Sequence, residues 1–280
     1  MTAYARPSRL DDALAALAGG RRVIVAGGTD FYPARVGRAL DEPVLDITGL
    51  AELRAIADAG DHWRIGALAT WTDLIEAALP PWFDGLTLAA REVGGVQIQN
   101  AGTIMGNLCN ASPAADGIPN LLALDAAVEL RSAAGTRRVA VADFVQGNRK
   151  TARAPDELAV SLVLPTPRHA ARATFQKLGA RKYLVISIVM VGAVLEVTSD
   201  HRVAAARIAI GACSAAALRL PALEAALAGQ PLDTTLAARV LPAHLDAIAP
   251  IDDVRGTATY RRDAALTLVR RALAALAEPS

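Results

Sequence analysis

Two glycine-rich segments in the first half of the chain contain residue types that can surround a phosphate group. The first, AGGTD at 26–30, places Gly27 and Gly28 at the end of the apolar run RRVIVAG. Because glycine lacks a Cβ atom, backbone amides at these positions can approach an anion closely. A helix beginning at Thr29 would add the positive end of its dipole. An ordinary tight turn at the end of a strand is the alternative for this segment alone.

The second segment, NAGTIMGN at 100–107, repeats this chemistry with Gly102, Thr103, Gly106 and Asn107. Two loops of this kind can hold two phosphates, so together they favour a pyrophosphate. Asp116, in the following NASPAAD, could accept hydrogen bonds from sugar hydroxyls. With equal weight, it could be the N-cap of a helix over IPNLLALDA.

The two common phosphate-binding motifs are missing from the sequence. No G-x-G-x-x-G follows a strand, and no G-x-x-x-x-G-K-S/T occurs. A Rossmann dinucleotide site and an NTPase are therefore not supported. The two loops predict a nucleotide site of a non-Rossmann kind.

The sequence offers no metal site. The two cysteines, Cys109 and Cys213, are far apart and cannot supply a cluster or a zinc site by themselves. Both are expected to be reduced and packed as small apolar groups, as in a cytoplasmic protein. The histidines lack ligand spacing and are expected at structural or surface positions: His62, His169, His201 and His244.

Composition narrows the class of protein. A chain of 280 residues is long enough for about two domains. Fractions of 53% hydrophobic, 4% aromatic and 20% charged residues describe a soluble, helix-rich globular protein. The net charge of +1, with both signs interleaved, disfavours nucleic acid and anionic membrane surfaces as partners. The opening segment lacks the apolar run of a signal peptide and no segment reaches the roughly 20 apolar residues of a membrane span, so neither secretion nor membrane insertion is expected.

The elements that must position these residues mix helix and strand. The runs RRVIVAG, PVLDITG and HWRIGALAT predict strands, and WTDLIEAAL predicts a helix capped by Thr70 or Thr72. The next stretch begins as a helix at GLTLAAREV, becomes a long polar loop through the second glycine segment, and recovers as an apolar run. After Pro165 and Pro167, VISIVMVGAVLEV and RVAAARIAIGAC predict a strand pair, followed by three helical stretches. The domain boundary is therefore expected near residue 170.

Several motifs occur in order along nearly the whole chain: IVAGGTD, IGALAT, GTIMGNLCNASPAADGIPNLLALDA, FQKLGARK and DDVRGTATYRRDAALTLVRRAL. With them the chain resembles the FAD-binding (medium) subunits of the molybdenum hydroxylase family, of the xanthine dehydrogenase and carbon monoxide dehydrogenase flavoprotein type. The resemblance implies an α+β fold with a vanillyl-alcohol-oxidase-type (PCMH) FAD-binding domain of two lobes, over residues 1–170 and split near residue 55. It also implies a small C-terminal α+β domain over residues 171–280, of the CO-dehydrogenase-flavoprotein type.

The resemblance further implies a site that holds FAD between the two lobes. Asp116 matches an aspartate that binds the ribityl chain of the flavin. Lys177 matches a lysine near the flavin ring, where its charge would favour the reduced, anionic flavin; composition alone equally allows a solvated lysine at a strand end. No residue of this chain is expected to act as a catalytic acid, base, nucleophile or metal ligand. The implied FAD contacts are Ala26, Gly27, Gly28, Thr29, Asp30, Phe31, Gly102, Thr103, Gly106, Asn107, Asp116 and Lys177.

Two departures from the family pattern bear on this site. The second loop of the family usually reads T-I-G-G-N, and Met105 stands here in place of the first of those glycines. If that position requires a positive φ, Met105 is strained or the loop is shifted. Hydroxybenzoyl-CoA reductase flavoproteins carry an extra iron–sulfur insert held by cysteines, and the two remote cysteines here disfavour that branch.

The implied function is electron relay within a complex. FAD on this chain would receive electrons from two [2Fe-2S] clusters on an iron–sulfur subunit and pass them to an external acceptor. The molybdenum cofactor would lie on a molybdopterin-binding large subunit, in an (αβγ)2 assembly. Two alternatives are a self-contained FAD-dependent oxidase or dehydrogenase acting on a small substrate, and a non-enzymatic nucleotide-binding or assembly module.

The closing segment predicts an amphipathic helix. Its apolar stripe of Leu266, Val269 and Leu273 is typical of a core seam. Its arginines are expected on a solvated face, with a subunit interface as the alternative: Arg255, Arg261, Arg262, Arg270 and Arg271.

Overall fold

The N-terminal part of the chain, in a computed structural model that describes residues 4–278, is a small parallel sheet with one helix. Its elements are β1 (Tyr4–Ala5), α1 (Leu10–Ala18), β2 (Val23–Val25) and β3 (Val44–Asp46). The strands pair in the order β1-β3-β2, so the two strands predicted from RRVIVAG and PVLDITG are confirmed as neighbours. Helix α1 turns Leu14 and Leu17 into the same core as Leu45 of β3.

A five-stranded antiparallel sheet follows, in the order β4-β5-β10-β6-β7. Its strands are β4 (Ile56–Asp58), β5 (His62–Gly66), β6 (Ala127–Ser132), β7 (Gly135–Ala140) and β10 (Leu158–Pro165). The strand predicted from HWRIGALAT is confirmed as β5. Between β7 and β10 the chain forms the short helix α7 (Val141–Phe144) and the hairpin of β8 (Val145–Gly147) and β9 (Lys150–Thr151).

Two helices precede the second glycine segment, α2 (Trp71–Glu76) and α3 (Asp84–Glu92), which pack against each other, and α3 also packs on the C-terminal strand Ala170–Leu178. Thr70 begins α2 with a capping box: its hydroxyl accepts from Asp73 N at 3.1 Å, and the Asp73 carboxylate accepts from Thr70 N at 2.8 Å. Of the two predicted caps, Thr70 is therefore correct. Each satisfied amide would otherwise be an unpaired donor at the helix start.

The stretch through the second glycine segment is helical, so the predicted long polar loop is wrong. It forms α4 (Val96–Ala101), α5 (Ile104–Asn110) and α6 (Gly117–Ala123). The three helices have only six, seven and seven residues, too few to display a helical period in sequence. Such short helices depend on tertiary packing. In α5 that packing buries Ile104, Met105 and Leu108.

The C-terminal part is a four-stranded antiparallel sheet with helices against one face. Strands β11 (Ala170–Leu178), β12 (Val189–Val197), β13 (Val203–Gly211) and β14 (Leu218–Arg219) pair in chain order. The predicted strand pair is confirmed as β12 and β13. Of the three predicted helical stretches, α8 (Pro221–Leu227) and α9 (Ala258–Ala277) are α-helices, and the chain between them forms 3-10 turns at Leu236–Arg239 and Pro242–Leu245. The α+β fold class is confirmed.

Helix α6 lies between the two larger sheets and is buried along its whole length. It packs against β12 and β13 through Pro119. A Cβ on Gly192 would lie 2.8 Å from the Pro119 carbonyl carbon, and one on Gly211 would lie 2.9 Å from Pro119 Cγ. These two glycines therefore let the C-terminal sheet approach α6 closely.

The predicted solvated arginine face of α9 is wrong at one position. Val269 and Leu273 are buried as expected, but Arg261 is also buried, with 3% of its surface exposed. Its guanidinium donates hydrogen bonds to two main-chain carbonyls and to an aspartate. The spacing of apolar residues in the sequence cannot indicate such partners. The remaining four arginines of the closing segment are exposed: Arg255, Arg262, Arg270 and Arg271. Within residues 4–278, no helix is both long and apolar enough to cross a membrane.

The two glycine-rich segments meet backbone to backbone. A Cβ on Gly27 would overlap the carbonyl oxygen of Ala101, and a Cβ on Gly102 would lie 3.3 Å from Thr29 Oγ1. Trp71 N donates to the Gly102 carbonyl at 3.2 Å, which fixes the second segment on the start of α2. A residue larger than glycine at position 27 therefore forces the two segments apart.

We expect Gly27→Ala to lower the free energy of unfolding by about 1–3 kcal/mol, because the new methyl group overlaps the backbone carbonyl of Ala101 at the end of α4. Chemical denaturation of the flavin-free protein measures this change. Gly19→Ala is the matched control: Gly19 has φ −74° and its Cβ would meet nothing closer than 3.5 Å. Equal unfolding midpoints for the two variants would show that the close contact between the two segments does not contribute to stability.

Candidate functional site

The first glycine segment leaves β2 in a tight turn rather than a helix. Gly28 has φ +70°, which favours glycine. Tyr32 N donates to the Gly28 carbonyl at 3.1 Å, and the turn continues into a 3-10 turn at Pro33–Arg35. The α-helix predicted to begin at Thr29 does not form, because Pro33 has no amide hydrogen to donate to the Thr29 carbonyl. The helix dipole inferred for this loop is therefore absent.

The second glycine segment is held by the cap of α5. Thr103 is the N-cap, and its Oγ1 accepts from Gly106 N at 2.9 Å. The Gly106 amide is thus used inside the protein, whereas the Thr103 hydroxyl hydrogen stays available to donate. A Cβ on Gly106 would lie 2.7 Å from Thr103 Oγ1, so glycine is needed here for the cap.

Met105 is not strained. It lies in the first turn of α5, 4% exposed, and is not among the residues of the described chain with positive φ. Position 105 therefore does not have a positive φ here, so the condition under which Met105 would be strained is not met. Its side chain contributes to the first hydrophobic core instead.

Both glycine segments line one cavity of about 560 Å3, here called the loop cleft. This volume falls within the range of about 300–1,000 Å3 that is typical of ligand sites. All of the predicted site residues except Asp116 and Lys177 line the loop cleft. The lining also includes five arginines and one carboxylate, Asp30, so the cleft favours an anion: Arg21, Arg22, Arg35, Arg149 and Arg153.

Several of these arginines are already oriented by the protein. The Arg35 guanidinium lies 4.0 Å from the centre of the Phe31 ring and donates to Glu42 at 2.7 Å. Arg149 donates to Asp30 at 3.4 Å, and its backbone has φ +56° in the turn between β8 and β9. These contacts hold the Arg35 and Arg149 side chains next to the first glycine segment.

One polar atom in the loop cleft has no partner among the described residues. Asn107 Oδ1 is buried and accepts no hydrogen bond. A buried unsatisfied acceptor costs about 1–3 kcal/mol, and a ligand hydroxyl or amide can remove that cost. The cleft therefore has the features that a dinucleotide needs: glycine segments, cations and an unsatisfied polar group.

Asp116 and Lys177 form a separate, buried ion pair. Lys177 Nζ lies 2.6 Å from Asp116 Oδ2, and their side chains are 7% and 9% exposed. Ser187 Oγ donates to the other carboxylate oxygen at 2.6 Å. The side chain of Asp116 makes no capping bond to α6, and Lys177 is not solvated, so both of these alternative interpretations are wrong.

Burial dominates the electrostatics of this pair. Loss of water raises the pKa of the Asp116 carboxyl above its ordinary value. The Lys177 ammonium and the Ser187 hydroxyl oppose that rise, and they hold the carboxylate in one orientation. The cluster is therefore an oriented hydrogen-bonding group rather than a solvated charge.

A second cavity, here called the Lys177 pocket, has a volume of about 400 Å3. Its charged lining residues are Glu92, Lys177, Arg181 and Lys182. Glu92 lines the Lys177 pocket and the next residue, Val93, lines the loop cleft, so consecutive residues belong to the two linings. Gly117, which follows Asp116, also lies close to the loop cleft. A Cβ on Gly117 would lie 3.0 Å from Asn107 Oδ1.

Sequence patterns missed Ser187, the partner of Asp116, and two arginines of the loop cleft. Ser187 lies in an apolar run that predicts only a buried strand, so nothing signalled its role. The arginines of QGNRKTAR, including Arg149 and Arg153, form a basic cluster that could have been noticed. The two thiols are unpaired, and burial raises the pKa of Cys109 and of Cys213 to about 11 in each case. No group of three or more potential metal ligands occurs among the residues that the structure describes.

Comparison with known proteins gives matches to the FAD subunits of molybdenum hydroxylases along nearly the whole chain. The family model described as "FAD binding domain in molybdopterin dehydrogenase" matches residues 1–167, and the "CO dehydrogenase flavoprotein C-terminal domain" matches residues 173–276. The carbon monoxide dehydrogenase medium chain of Afipia carboxidovorans is 32% identical, over 96% of this chain and 94% of that protein. The nicotinate dehydrogenase FAD-subunit of Eubacterium barkeri is 32% identical, over 86% of this chain and 83% of that protein.

Solved structures agree with this result. Reconstituted CO dehydrogenase from Oligotropha carboxidovorans superposes with a TM-score of 0.88 at 28% identity, covering 99% of this chain and 98% of that chain. Quinoline 2-oxidoreductase from Pseudomonas putida 86 superposes with a TM-score of 0.89 at 25% identity, covering 99% and 97%. The protein therefore belongs to the family of FAD-binding medium subunits of the molybdenum hydroxylases.

Proposed function

We propose that this chain binds FAD in the loop cleft and the Lys177 pocket, and that it relays electrons within a molybdenum hydroxylase complex. The observation that carries the proposal is the loop cleft itself, where two glycine segments, five arginines and the unsatisfied Asn107 surround one cavity. When bound, FAD supplies the exchange between one-electron and two-electron transfer. The protein residues bind, orient and tune it.

The pyrophosphate is proposed to lie against the two glycine segments. Residues 26–31 form one wall and residues 102–107 the other, with arginine charge on the remaining sides. The Thr103 oxygen accepts from Gly106 N, and its hydroxyl hydrogen is proposed to donate to a phosphate oxygen. Asn107 Oδ1 is proposed to accept from a hydroxyl or amide of the ligand, since the pyrophosphate itself has no donor.

The flavin half of the cofactor is proposed to extend past Val93 into the Lys177 pocket. There Lys177 lies near the flavin ring. Asp116 lines neither cavity but contacts Lys177, and it is proposed to accept hydrogen bonds from ribityl hydroxyls that reach this pair. Because Asp116 is 2.6 Å from Lys177, the flavin experiences the field of an oriented ion pair rather than a bare cation. That field still favours negative charge on the side of the ammonium group.

The proposed partners hold the remaining redox centres. They are an iron–sulfur subunit with two [2Fe-2S] clusters and a molybdopterin-binding large subunit, in an (αβγ)2 assembly in the cytoplasm. We propose a FAD-binding domain of residues 1–170, with lobes divided near residue 55, and a C-terminal domain of residues 171–280. The change of sheet between β10, which ends at Pro165, and β11, which begins at Ala170, supports that boundary.

Thr103→Ala is expected to weaken FAD binding about tenfold to a hundredfold, because a hydrogen bond to a charged phosphate contributes roughly 1.5–3 kcal/mol. Titration of the flavin-free protein with FAD measures the dissociation constant. Thr103→Ser, which keeps the hydroxyl, should bind FAD nearly as well as the unaltered protein. Thr257→Ala removes the N-cap of α9 instead and controls for the loss of a helix cap. An unchanged dissociation constant for Thr103→Ala would remove this hydroxyl from the site.

Asp116→Asn is expected to raise the FAD dissociation constant about tenfold, since a neutral amide accepts hydrogen bonds from hydroxyls less strongly than a carboxylate. The flavin-free variant should also melt earlier, because buried Lys177 loses its anionic partner. Glu157→Gln is the control, since the side chain of Glu157 is 10% exposed and its partner Arg137 lines neither cavity, whereas the partner of Asp116 lines the Lys177 pocket. If both variants bind FAD equally well, Asp116 is structural only.

The chain produced alone is expected to fold, to take up FAD and to oxidise no hydroxylase substrate. The test is to purify it alone, confirm flavin by absorbance, and assay purines, aldehydes and N-heterocycles with an artificial electron acceptor. The same assay on the complex with its two partner subunits should show turnover. Robust turnover by the isolated, metal-free chain would instead establish the self-contained oxidase, and failure to bind any flavin would favour the assembly module.

A further inference from the structure

Arg261 is the buried arginine of α9, and its guanidinium binds main-chain carbonyls outside its own helix. Nη1 donates to the Ile188 carbonyl at 2.7 Å and to the Ala212 carbonyl at 2.9 Å. Nη2 donates to Asp253 Oδ1 at 2.6 Å. Only 3% of the residue is exposed, so these bonds form out of contact with solvent.

The two carbonyls lie where β12 and β13 separate. The ladder between these strands ends at the pair Met190 and Gly211. Ile188 precedes that pair and Ala212 follows it, with φ +62° in the left-handed region. Carbonyls that leave a ladder need another donor when they are buried. Arg261 supplies that donor to both, and so fixes the end of the strand pair.

The Ile188 peptide leads directly to both partners of Asp116. Ile188 N donates to the Leu178 carbonyl at 2.7 Å. Leu178 follows Lys177, and Ser187 precedes Ile188. Ser187 therefore directly precedes the residue whose carbonyl Arg261 binds, and Lys177 directly precedes the residue whose carbonyl accepts from Ile188 N.

The Ala212 peptide leads to Asp116 from the opposite side. Ala212 N donates to the Pro113 carbonyl at 2.9 Å, and Pro113 lies three residues before Asp116. One guanidinium thus holds two peptides, and through them the backbone on all three sides of the cluster of Asp116, Lys177 and Ser187.

Asp253 keeps the guanidinium in this orientation. It also accepts from Arg255 N at 2.8 Å and from Arg255 Nη1 at 3.0 Å. These hydrogen bonds, led by the Arg255 amide, lower the pKa of Asp253 to about 2, so it stays anionic at any working pH. Arg261 Nε is buried with no partner among the described residues. The side chain is therefore placed by its two terminal nitrogens, which serve the carbonyls and Asp253.

We propose that Arg261 is a positioning residue for the cluster of Asp116, Lys177 and Ser187. Resting on the proposed FAD site, the inference extends to the cofactor: Arg261 holds the carboxylate and the ammonium in the geometry that binds the ribityl chain and the flavin ring. The residue does so from the C-terminal helix, without contact with FAD.

The test compares Arg261→Lys with Arg262→Lys in the full-length chain. Arg262 is the adjacent arginine on α9 and also donates to two carbonyls, those of Leu245 at 3.0 Å and Ile248 at 2.8 Å. Neither carbonyl belongs to a peptide bonded to the Asp116 cluster. Asp253→Asn is a second, milder variant, which releases the guanidinium without removing it.

Three measurements distinguish positioning from stability. Hydrogen exchange in the flavin-free chain reports the Ile188 and Ala212 amides, titration reports the FAD dissociation constant, and the visible spectrum reports the surroundings of the bound flavin. Arg261→Lys should speed exchange at both amides, raise the dissociation constant about tenfold and alter the flavin spectrum. Asp253→Asn should do so more weakly. Arg262→Lys should leave the exchange rates, the dissociation constant and the flavin spectrum unchanged, at a melting temperature comparable to that of Arg261→Lys.

The outcomes separate the two proposals. If Arg261→Lys and Asp253→Asn match Arg262→Lys in exchange and affinity, the positioning role is overturned. It is equally overturned for FAD if exchange rises but affinity stays unchanged while Asp116→Asn weakens binding. If Asp116→Asn itself leaves affinity unchanged, the proposed FAD contact fails, and the exchange measurement alone decides whether Arg261 positions the cluster.

Discussion

The contact between Gly27 and the Ala101–Gly102 backbone is the constraint on which the rest of the site depends. One segment leaves the parallel sheet and the other caps α5, and they share a cleft only because no Cβ separates them. The sequence suggested that Gly27 makes room for a phosphate. In the structure its missing Cβ makes room for another part of the protein. The glycine therefore builds the cleft, and the arginines and Thr103 provide its affinity for an anion.

The buried pair of Asp116 and Lys177 has a different physical basis. Removing each of the two charges from water typically costs several kcal/mol of free energy. Their mutual attraction offsets this cost only when the geometry of the pair is good. Here the Ser187 hydroxyl satisfies the second carboxylate oxygen. A pair of this kind contributes little net stability, but it is rigid. Because it joins α6 to β11, it also couples the part of the chain that carries the glycine segments to the C-terminal sheet.

The sequence indicated strands well and short helices poorly. Long apolar runs such as β12 and β13 were recognised because burial on both faces leaves a continuous signal. Helices α4 to α6 were missed because six or seven residues cannot display a period. The helix expected to begin at Thr29 does not form because of Pro33. The expectation that Arg261 is solvated was wrong because its partners are carbonyls next to distant strands. The residues of the two glycine segments that line the loop cleft were predicted from the sequence and the family resemblance, whereas Ser187 and Arg261 required the fold.

The start of α6 lies against one lining residue of each cavity, Asn107 of the loop cleft and, through Asp116, Lys177. Asp116 stands at its start, Asn107 lies against Gly117 of its first turn, and Pro119 packs on Gly192 and Gly211 of the C-terminal sheet. A displacement of this helix would therefore change the loop cleft and the Lys177 pocket together. Because all seven of its residues are buried, such a displacement would have to open the packing on both faces. Rigid support of this kind suits a subunit whose work is to hold a cofactor, since electron transfer requires fixed geometry rather than a moving catalytic group.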